Sequence, residues 1–427
     1  MPRLVLTTAT IGVLMAFQAN SGHAGELEEM RAMLLEMQQR LQQQQARIEQ
    51  LERQQALPTA APAPATPHAS TVAAVPGANQ SAPSTSPQAS SSRTIPGIDP
   101  KLASFYGRVD VFLDYGTGGS SGSRLSLESG GYTGSRVGVK GGRELTPGVQ
   151  AIYQLEAGYF INNGRIGQSS GGNTRLFGRQ AYVGIEGRLG RLTVGRQYSP
   201  YFLQLIGYDA LENGYGSPTN DGNVPPGPTR YDNALIYATP DLGGLKASAL
   251  TALGGQTGAT RHNAYGLSLD FNRGPLAIGA GYLYDDHTTA LDRSARYLFS
   301  GASYKLGRVQ LMGGLSEIAY RPDIGADSDW RSWFAGTRIE ATGSGQLRLV
   351  YGEGYSPQAV INNRGRVFSA TWIETINQQF KAYLALSRHI NYPGSAIAAS
   401  GTAAYGYYTI NPGDNATGIA AGVQYFF

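Results

Sequence analysis

Beyond its first two dozen residues this chain has no apolar run long enough to cross a bilayer as a helix. From Phe105 onward its side chains nevertheless alternate with a period of two. Phe105, Val109, Val111, Leu113 and Tyr115 share one face; Tyr106, Arg108, Asp110 and Asp114 share the other. Val137 and Val139 likewise oppose Arg136 and Lys140, and Tyr265, Leu267, Leu269 and Phe271 oppose Ser268 and Asp270. Leu347, Leu349 and Tyr351 oppose Arg348, and Ile419, Ala421, Val423, Tyr425 and Phe427 fall on one side of the last run. Strands of about ten residues, apolar on one side and polar on the other, are the signature of a membrane barrel. The connections sort as well. Short ones at 187–190, 240–244, 272–275, 305–308 and 342–345 alternate with long ones near 116–133, 161–174, 199–229, 286–295, 319–329, 357–363 and 391–414. The expected fold is all-β: an antiparallel transmembrane barrel of about sixteen strands, wide enough for an aqueous channel. A soluble sandwich would need two apolar sheet faces to meet, and no blade repeat supports a propeller.

Catalytic and metal chemistry find little footing. The absence of Cys excludes a disulfide framework, a thiolate metal site and a Cys nucleophile. The five His are scattered singly, with none at metal-ligand spacing, and neither a Gly-x-Ser-x-Gly motif nor a phosphate loop is present. Asp285-Asp286-His287 and the acidic stretch Asp323 to Asp329 read as solvated loop charge. No catalytic residue, metal or cofactor is expected. A net charge of +4 makes no case for nucleic acid.

The first hundred residues divide into three. Arg3, the apolar run Leu4–Phe17 and Gly22-His-Ala24 read as a secretory signal over 1–24, an uncleaved anchor being the alternative. Residues 25–56 carry a heptad, with Leu27, Leu34, Leu41 and Ile48 at a, and Met30, Met37 and Leu51 at d. The spacing predicts an α-helical coiled coil rather than a lone amphipathic helix. Residues 57–103, rich in Ala, Pro, Ser and Thr, read as a linker to a barrel over 104–427.

Within the barrel, Arg175 to Tyr237 stands out. Two β-rich runs turn at Glu186-Gly-Arg-Leu-Gly190. Some thirty residues of loop then carry Tyr208, Asp209, Leu211, Glu212 and Tyr215, too apolar and aromatic for a solvated tether. Leu176-Phe-Gly-Arg-Gln-Ala-Tyr-Val-Gly184, Gly195-Arg-Gln-Tyr198 and Arg230-Tyr-Asp-Asn-Ala-Leu-Ile-Tyr237 resemble the general trimeric porins of Gram-negative outer membranes, of the beta-proteobacterial type. Phe105-Tyr-Gly-Arg-Val-Asp110, Ser135-Arg-Val-Gly-Val-Lys-Gly141 and Ala151-Ile-Tyr-Gln-Leu-Glu156 extend the resemblance over most of 104–427, and Phe427 looks like the family's assembly signal. The resemblance implies that Tyr198–Thr229 folds into the barrel as its constriction loop. It also implies a homotrimer set among outer-membrane lipid and lipopolysaccharide. The chain departs from the family in its N-terminal coil, which is similar to that of sugar-specific porins with a periplasmic coiled coil.

The charge that bears on a pore is Arg. Residues 104–427 hold 23 Arg and four Lys against 23 carboxylates. By parity Arg108, Arg136, Lys140, Arg230, Arg338 and Arg348 point inward, with Asp209, Glu212 and Asp221 of the loop expected opposite them. Arg179 and Arg196 break the parity, each sharing a face with apolar residues. An Arg facing lipid at mid-depth costs about 2–4 kcal/mol, so a bulge or a protein neighbour must relieve it. The resemblance implies a lumenal place for Arg179 and an intersubunit ion pair for Arg196. The expected function is a water-filled channel for passive diffusion of small hydrophilic solutes and ions, weakly preferring anions. The alternatives are a sugar- or anion-specific channel, with Tyr106, Phe112, Tyr208 and Tyr215 as its aromatic candidates, and an adhesive protein tethered to the cell wall. The coil is expected in the periplasm, where residues 25–97 could reach peptidoglycan.

Overall fold

Seventeen strand segments occupy sixteen positions around a closed antiparallel barrel. In chain order they are β1 (Ser104–Gly119), β2 (Gly122–Ser129), β3 (Arg136–Thr146), β4 (Val149–Gly158), β5 (Gln180–Gly187) and β6 (Gly190–Tyr198). After the long loop come β7 (Arg230–Ala238), β8 (Leu245–Ala252), β9 (Ala264–Arg273), β10 (Leu276–Thr288), β11 (Arg293–Leu306) and β12 (Val309–Pro322). The circuit ends with β13 (Ser328–Glu340), β14 (Gly345–Tyr355), β15 (Arg364–Thr375), β16 (Phe380–Asn391) and β17 (Ala416–Phe426). The computed structural model describes Asp99 and residues 101–427, apart from 120–121, 169–174, 222, 255–262, 289–292, 323–326, 360 and 397–410. The expected signal segment, coiled coil and nearly all of the linker lie outside the described residues.

β1 closes the ring by pairing with β17, from Arg108 opposite Phe426 to Thr117 opposite Thr417. Its other edge is shared: the upper half pairs with β2 and the lower half with β3. β2 and β3 are therefore one strand position interrupted at 130–135. The connection expected over 116–133 is mostly strand, with Gly119 opposite Gly122. The Gly- and Ser-rich run holds a ladder because β2 pairs back on β1, from Val111 opposite Ser129 to Gly119 opposite Gly122, strand propensity being mainly packing context.

The period-two reading places side chains as expected. Leu113, Leu125, Val183, Leu315 and Phe368 are exposed on the outer wall, whereas Asp110, Glu156, Ser303 and Thr371 are buried on the inner one. Apolar side chains face lipid and polar ones line the interior.

The loop after β6 runs inside the barrel. It opens with a short helix, α1 (Pro200–Gly207), capped by Ser199, whose hydroxyl accepts from Phe202 N at 3.1 Å. Pro at the first helical position suits a residue with no N–H to satisfy. From there the loop is pinned in turn to one strand after another. Gln204 Nε2 donates to Leu269 O at 2.8 Å on β9, and Trp330 Nε1 of β13 donates to Asn223 O at 3.0 Å. Ser369 Oγ of β15 donates to Gly216 O at 2.6 Å, and Tyr215 OH donates to Asp114 Oδ1 of β1 at 2.6 Å. Tyr201, Leu205, Leu211 and Val224 are buried between loop and wall, each worth about 1.5–3 kcal/mol. Gly354 permits the closest approach: a Cβ there would lie 1.9 Å from Asn223 O.

Candidate functional site

The interruption between β2 and β3 builds one side of the narrow region. Asp110, fully buried, accepts from Thr133 N at 2.9 Å and Tyr132 N at 3.2 Å, which draws residues 130–135 into the barrel. Tyr383 OH at 2.8 Å and Gln424 Nε2 at 2.7 Å complete its shell. Thr133 Oγ1 then accepts from Arg108 Nη1 at 2.6 Å and from Arg136 Nη2 at 2.7 Å. One hydroxyl thus gathers two guanidiniums of like charge.

A second pair stands on the neighbouring wall. Arg179 Nε meets Glu156 Oε1 at 2.7 Å, and its Nη2 donates to the Tyr198 hydroxyl. Arg230 Nη2 donates to the same hydroxyl, and the guanidinium carbon lies 4.0 Å from the Tyr198 ring centroid. Tyr198 in turn stacks on Phe202 of α1, with ring centroids 5.7 Å apart. From Glu156 the polar ladder continues downward. Tyr106 OH donates to Glu156 Oε2 at 2.9 Å, Gln154 Nε2 to Tyr106 OH at 2.6 Å, and Tyr182 OH to Gln154 Oε1 at 2.8 Å. Arg191 donates to the Tyr182 hydroxyl. Lys140 lines the same wall, its Nζ 5.4 Å from the Tyr106 ring centroid.

The loop supplies the third group. Glu212 lies 3.1 Å from Arg338 Nη1 and 3.2 Å from Arg348 Nη1, and accepts from Tyr132 OH at 3.2 Å. Arg338 also donates to Asp209 O at 2.7 Å and Ala210 O at 3.0 Å, and Arg348 to Ala210 O at 3.1 Å. The arginines hold the loop by its backbone as well as by its charge. Glu212 has φ +55° and Asn213 φ +63°, left-handed conformations costing a non-Gly residue about 1–3 kcal/mol. Glu212 lies outside the strands. Burial alone would raise its carboxyl, but Arg348 and Arg338 outweigh that and lower it to about 2.

The lumen these groups line is an open cavity of about 1970 Å³, bordered by ten basic and five acidic side chains. Arg108, Arg136, Lys140, Arg179, Arg230, Arg338, Arg348 and Glu212 all border it.

Two of the expected pore residues, Asp209 and Asp221, are placed differently. Asp209 is fully buried, and its carboxylate faces the loop: it accepts from Leu211 N at 3.0 Å, Asn213 N at 3.1 Å, Thr219 Oγ1 at 2.8 Å and the Ser217 hydroxyl. Only its carbonyl meets an arginine. Two backbone amides and two hydroxyls converge within ten residues, so the carboxylate organises the turn. Asp221 does not face the arginines either; its Oδ2 lies 3.3 Å from His389 Nε2 on β16, both side chains fully enclosed. Arg196, expected at a subunit contact, lies away from the lumen-lining residues. A bulge between Gly195 and Gln197 turns it aside, and it meets Asp232 of its own chain at 2.7 Å and Gly178 O at 2.7 Å, with Arg175 on the same aspartate at 2.8 Å. Arg179 reaches the lumen because it precedes β5, where strand parity does not yet hold.

Sequence reasoning missed Thr133, Tyr132, Tyr198 and Glu156 as members of the site. Glu156 was within reach, being in register with Gln154 on a polar face. The Thr133 bridge was not, since it depends on residues 130–135 turning inward.

The family description of Gram-negative porins matches residues 69–427. The chain is 27% identical over 339 residues to outer membrane porin protein 32 of Delftia acidovorans, covering 75% of this chain and 93% of that protein. It is 33% identical over 178 residues to an outer membrane porin protein of Bordetella pertussis, covering 38% and 44% respectively. Among solved structures, the anion-selective porin from Comamonas acidovorans superposes with a TM-score of 0.68 at 23% identity, covering 76% of this chain and 99% of that one. OmpT of Vibrio cholerae superposes at 0.58 and 12% identity, covering 77% and 99%. With the closed sixteen-position barrel, the inward loop and the match across most of its length, this chain belongs to the Gram-negative porins, channels of the outer membrane.

Proposed function

We propose that the chain is a passive diffusion channel for small hydrophilic solutes and ions, with a weak preference for anions set at the ring formed by the loop and the arginines. The observation that carries this is the twofold excess of basic over acidic side chains around the lumen. Arg108, Arg136 and Arg230 are held by neutral hydroxyls at Thr133 and Tyr198, whereas Arg179 is paired with Glu156 and Arg338 and Arg348 share Glu212. A cationic lining in a narrow passage raises the local anion concentration and lowers that of cations. The anion selectivity stated for the Comamonas acidovorans porin agrees with this reading. The test is the reversal potential of the purified channel in a planar bilayer under a salt gradient. A cation-selective sign would refute the preference, and a folded protein without conductance would refute the channel.

A sugar-specific channel is less well supported. Phe112 and Tyr215 are buried between loop and wall, and of the four candidates only Tyr106 and Tyr208, both largely buried, border the lumen. The open polar cavity argues against a barrel that serves only as an adhesive anchor. Three barrels acting as a homotrimer, with Arg196 near the contact, and residues 25–56 forming a periplasmic coil whose linker lets 25–97 reach peptidoglycan, complete the reading. Its support is the heptad spacing sustained along that segment and the tether, which would hold the copies at high effective concentration.

A further inference from the structure

At the short-turn end of the barrel a smaller chamber, of about 220 Å³, opens beside the main lumen. Tyr132 and Arg348 border both spaces. One side of the chamber is the turn 341–344 with the first residues of β14. On the other side Thr375 of β15 lies opposite Lys381 of β16 in register. Lys381 shares the inner face of β16 with the buried Tyr383 and Ala385, so its stem is directed inward. The short turns of an outer-membrane barrel face the periplasm, which puts the chamber on the periplasmic side of the ring.

Two arginines of the ring stand over it. Arg348 forms part of its wall and is held in place, its Nε donating to Gln346 Oε1 at 2.6 Å and its Nη1 to Ala210 O at 3.1 Å. Arg108 approaches through Phe426, which it opposes across β1 and β17. Its Cζ lies 4.5 Å from that ring centroid, and Lys381 Nζ lies 5.6 Å from the same centroid. Arg108, Arg348 and Glu212 are the charged groups whose fields reach Lys381. The nearby carboxylates are engaged elsewhere. Glu212 is shared by Arg338 and Arg348, and Glu340, which borders the chamber, pairs with Lys305 at 3.3 Å. Positive charge is thus in surplus in a small, partly enclosed space, where it repels itself unless an anion enters. Hydroxyls border the space too. Thr342 Oγ1 accepts from Gly345 N at 2.6 Å, which leaves its O–H to donate, and Ser344 and Thr375 stand beside it.

We propose that Lys381 and Arg348 form a second anion station, on the periplasmic side of the ring, that binds phosphate and other small oxyanions in preference to chloride. A guanidinium edge, an ammonium and hydroxyls offer several directed donors, which the oxygens of phosphate accept and a spherical halide uses poorly. An anion leaving the ring meets this charge before bulk water, and two stations in series let one ion displace the next. The inference rests on the reading of the chain as an anion-preferring channel and adds to it a binding step outside the ring.

The experiment is chloride conductance of the full-length protein in planar bilayers, with inorganic phosphate titrated in at constant ionic strength and neutral pH. Phosphate should inhibit the wild-type chloride current and saturate. Lys381→Gln should raise the half-inhibiting concentration about tenfold, as for the loss of one charge-assisted contact. Lys381→Arg, which keeps charge and donors, should stay inhibited; equal weakening there would mean that Lys381 acts through its packing on Phe426, and overturns the assignment. An unchanged half-inhibiting concentration in Lys381→Gln overturns it as well, since phosphate would then bind at the ring. If Lys381→Gln does not fold, Thr375→Glu sets a carboxylate opposite Lys381 and should weaken inhibition at least as much; undiminished inhibition there overturns the proposal. A conducting, anion-preferring wild type that phosphate does not inhibit overturns this inference and leaves the channel reading standing, whereas a folded protein without conductance removes both.

Discussion

Reversing one charge at the ring, Arg230→Glu, should turn the channel from anion- to cation-preferring. Arg230 lies 4.0 Å from the Tyr198 ring centroid and borders the open lumen. An ion passing about 6 Å from that site in water interacts with a unit charge by about 0.7 kcal/mol. Replacing +1 by −1 doubles the change to about 1.4 kcal/mol, and screening at 0.1 M salt brings it to about 0.8 kcal/mol. Anions lose what cations gain, so the permeability ratio shifts by about 1.6 kcal/mol, or roughly tenfold. Low-dielectric walls only enlarge it. In addition, the new carboxylate would face Arg179, which shares the Tyr198 hydroxyl, and neutralise part of the remaining field. Reversal potentials in a potassium chloride gradient read the ratio directly. Arg331→Glu makes the same charge change on the outer wall, where Arg331 lies 3.7 Å from Glu317, and should leave the sign unaltered. An unchanged reversal potential in Arg230→Glu, with normal conductance, would show that the ring does not set selectivity.

Three further outcomes are expected. Glu212 is held at about 2, below the ordinary value of about 4.3. Its ion pairs with Arg338 and Arg348 therefore contribute fully above that ordinary value and fade as pH falls toward 2. The part of the selectivity that depends on Glu212 should be flat from neutral pH down to about 4 and turn more anionic only near 2–3, so a step at pH 4–5 that is lost in Glu212→Gln would contradict the geometry. Asp209→Ala leaves two backbone amides and two hydroxyls without their acceptor, each orphaned group costing about 1–3 kcal/mol; loop noise in single-channel records should rise while the anion-to-cation ratio stays put, and a large selectivity change would mean that its carboxylate faces the pore. Removing residues 25–96 should leave single-channel conductance intact while lowering the trimer melting temperature or co-sedimentation with the cell wall; altered conductance with both of those unchanged would assign the coil to the channel.

Where parity decides, the sequence was a good guide to the site. Arg108, Arg136, Lys140, Arg338 and Arg348 sit on strands that keep their alternation locally, and each borders the lumen. A strand sends successive side chains to opposite faces, so one buried apolar or polar neighbour fixes the rest. That rule fails where the backbone departs from the ladder. The bulge at Gly195–Gln197 turns Arg196 out and leaves Tyr198 within reach of both Arg179 and Arg230. Arg179 itself lies one residue before its strand begins, and the apparent apolar face it shared with Phe177 does not exist there.

The loop shows the boundary between the two kinds of information. Its composition marked it as too aromatic for solvent, and resemblance placed it inside the barrel. Which of its three carboxylates would meet the arginines depended on contacts far apart in the chain. Asp209 is consumed by the turn it organises, Asp221 is enclosed against His389, and Glu212 alone reaches Arg338 and Arg348. In the same way, Asp110 looked like one more inward polar residue. It is the acceptor that pulls 130–135 into the lumen and so lets Thr133 join Arg108 to Arg136. Local alternation determined the barrel, its lipid face and the charge of its lining, because strand geometry is set residue by residue. The aim of each charge was decided by tertiary structure, because a side chain in a turn or at a strand end has no fixed face until distant donors and acceptors select one.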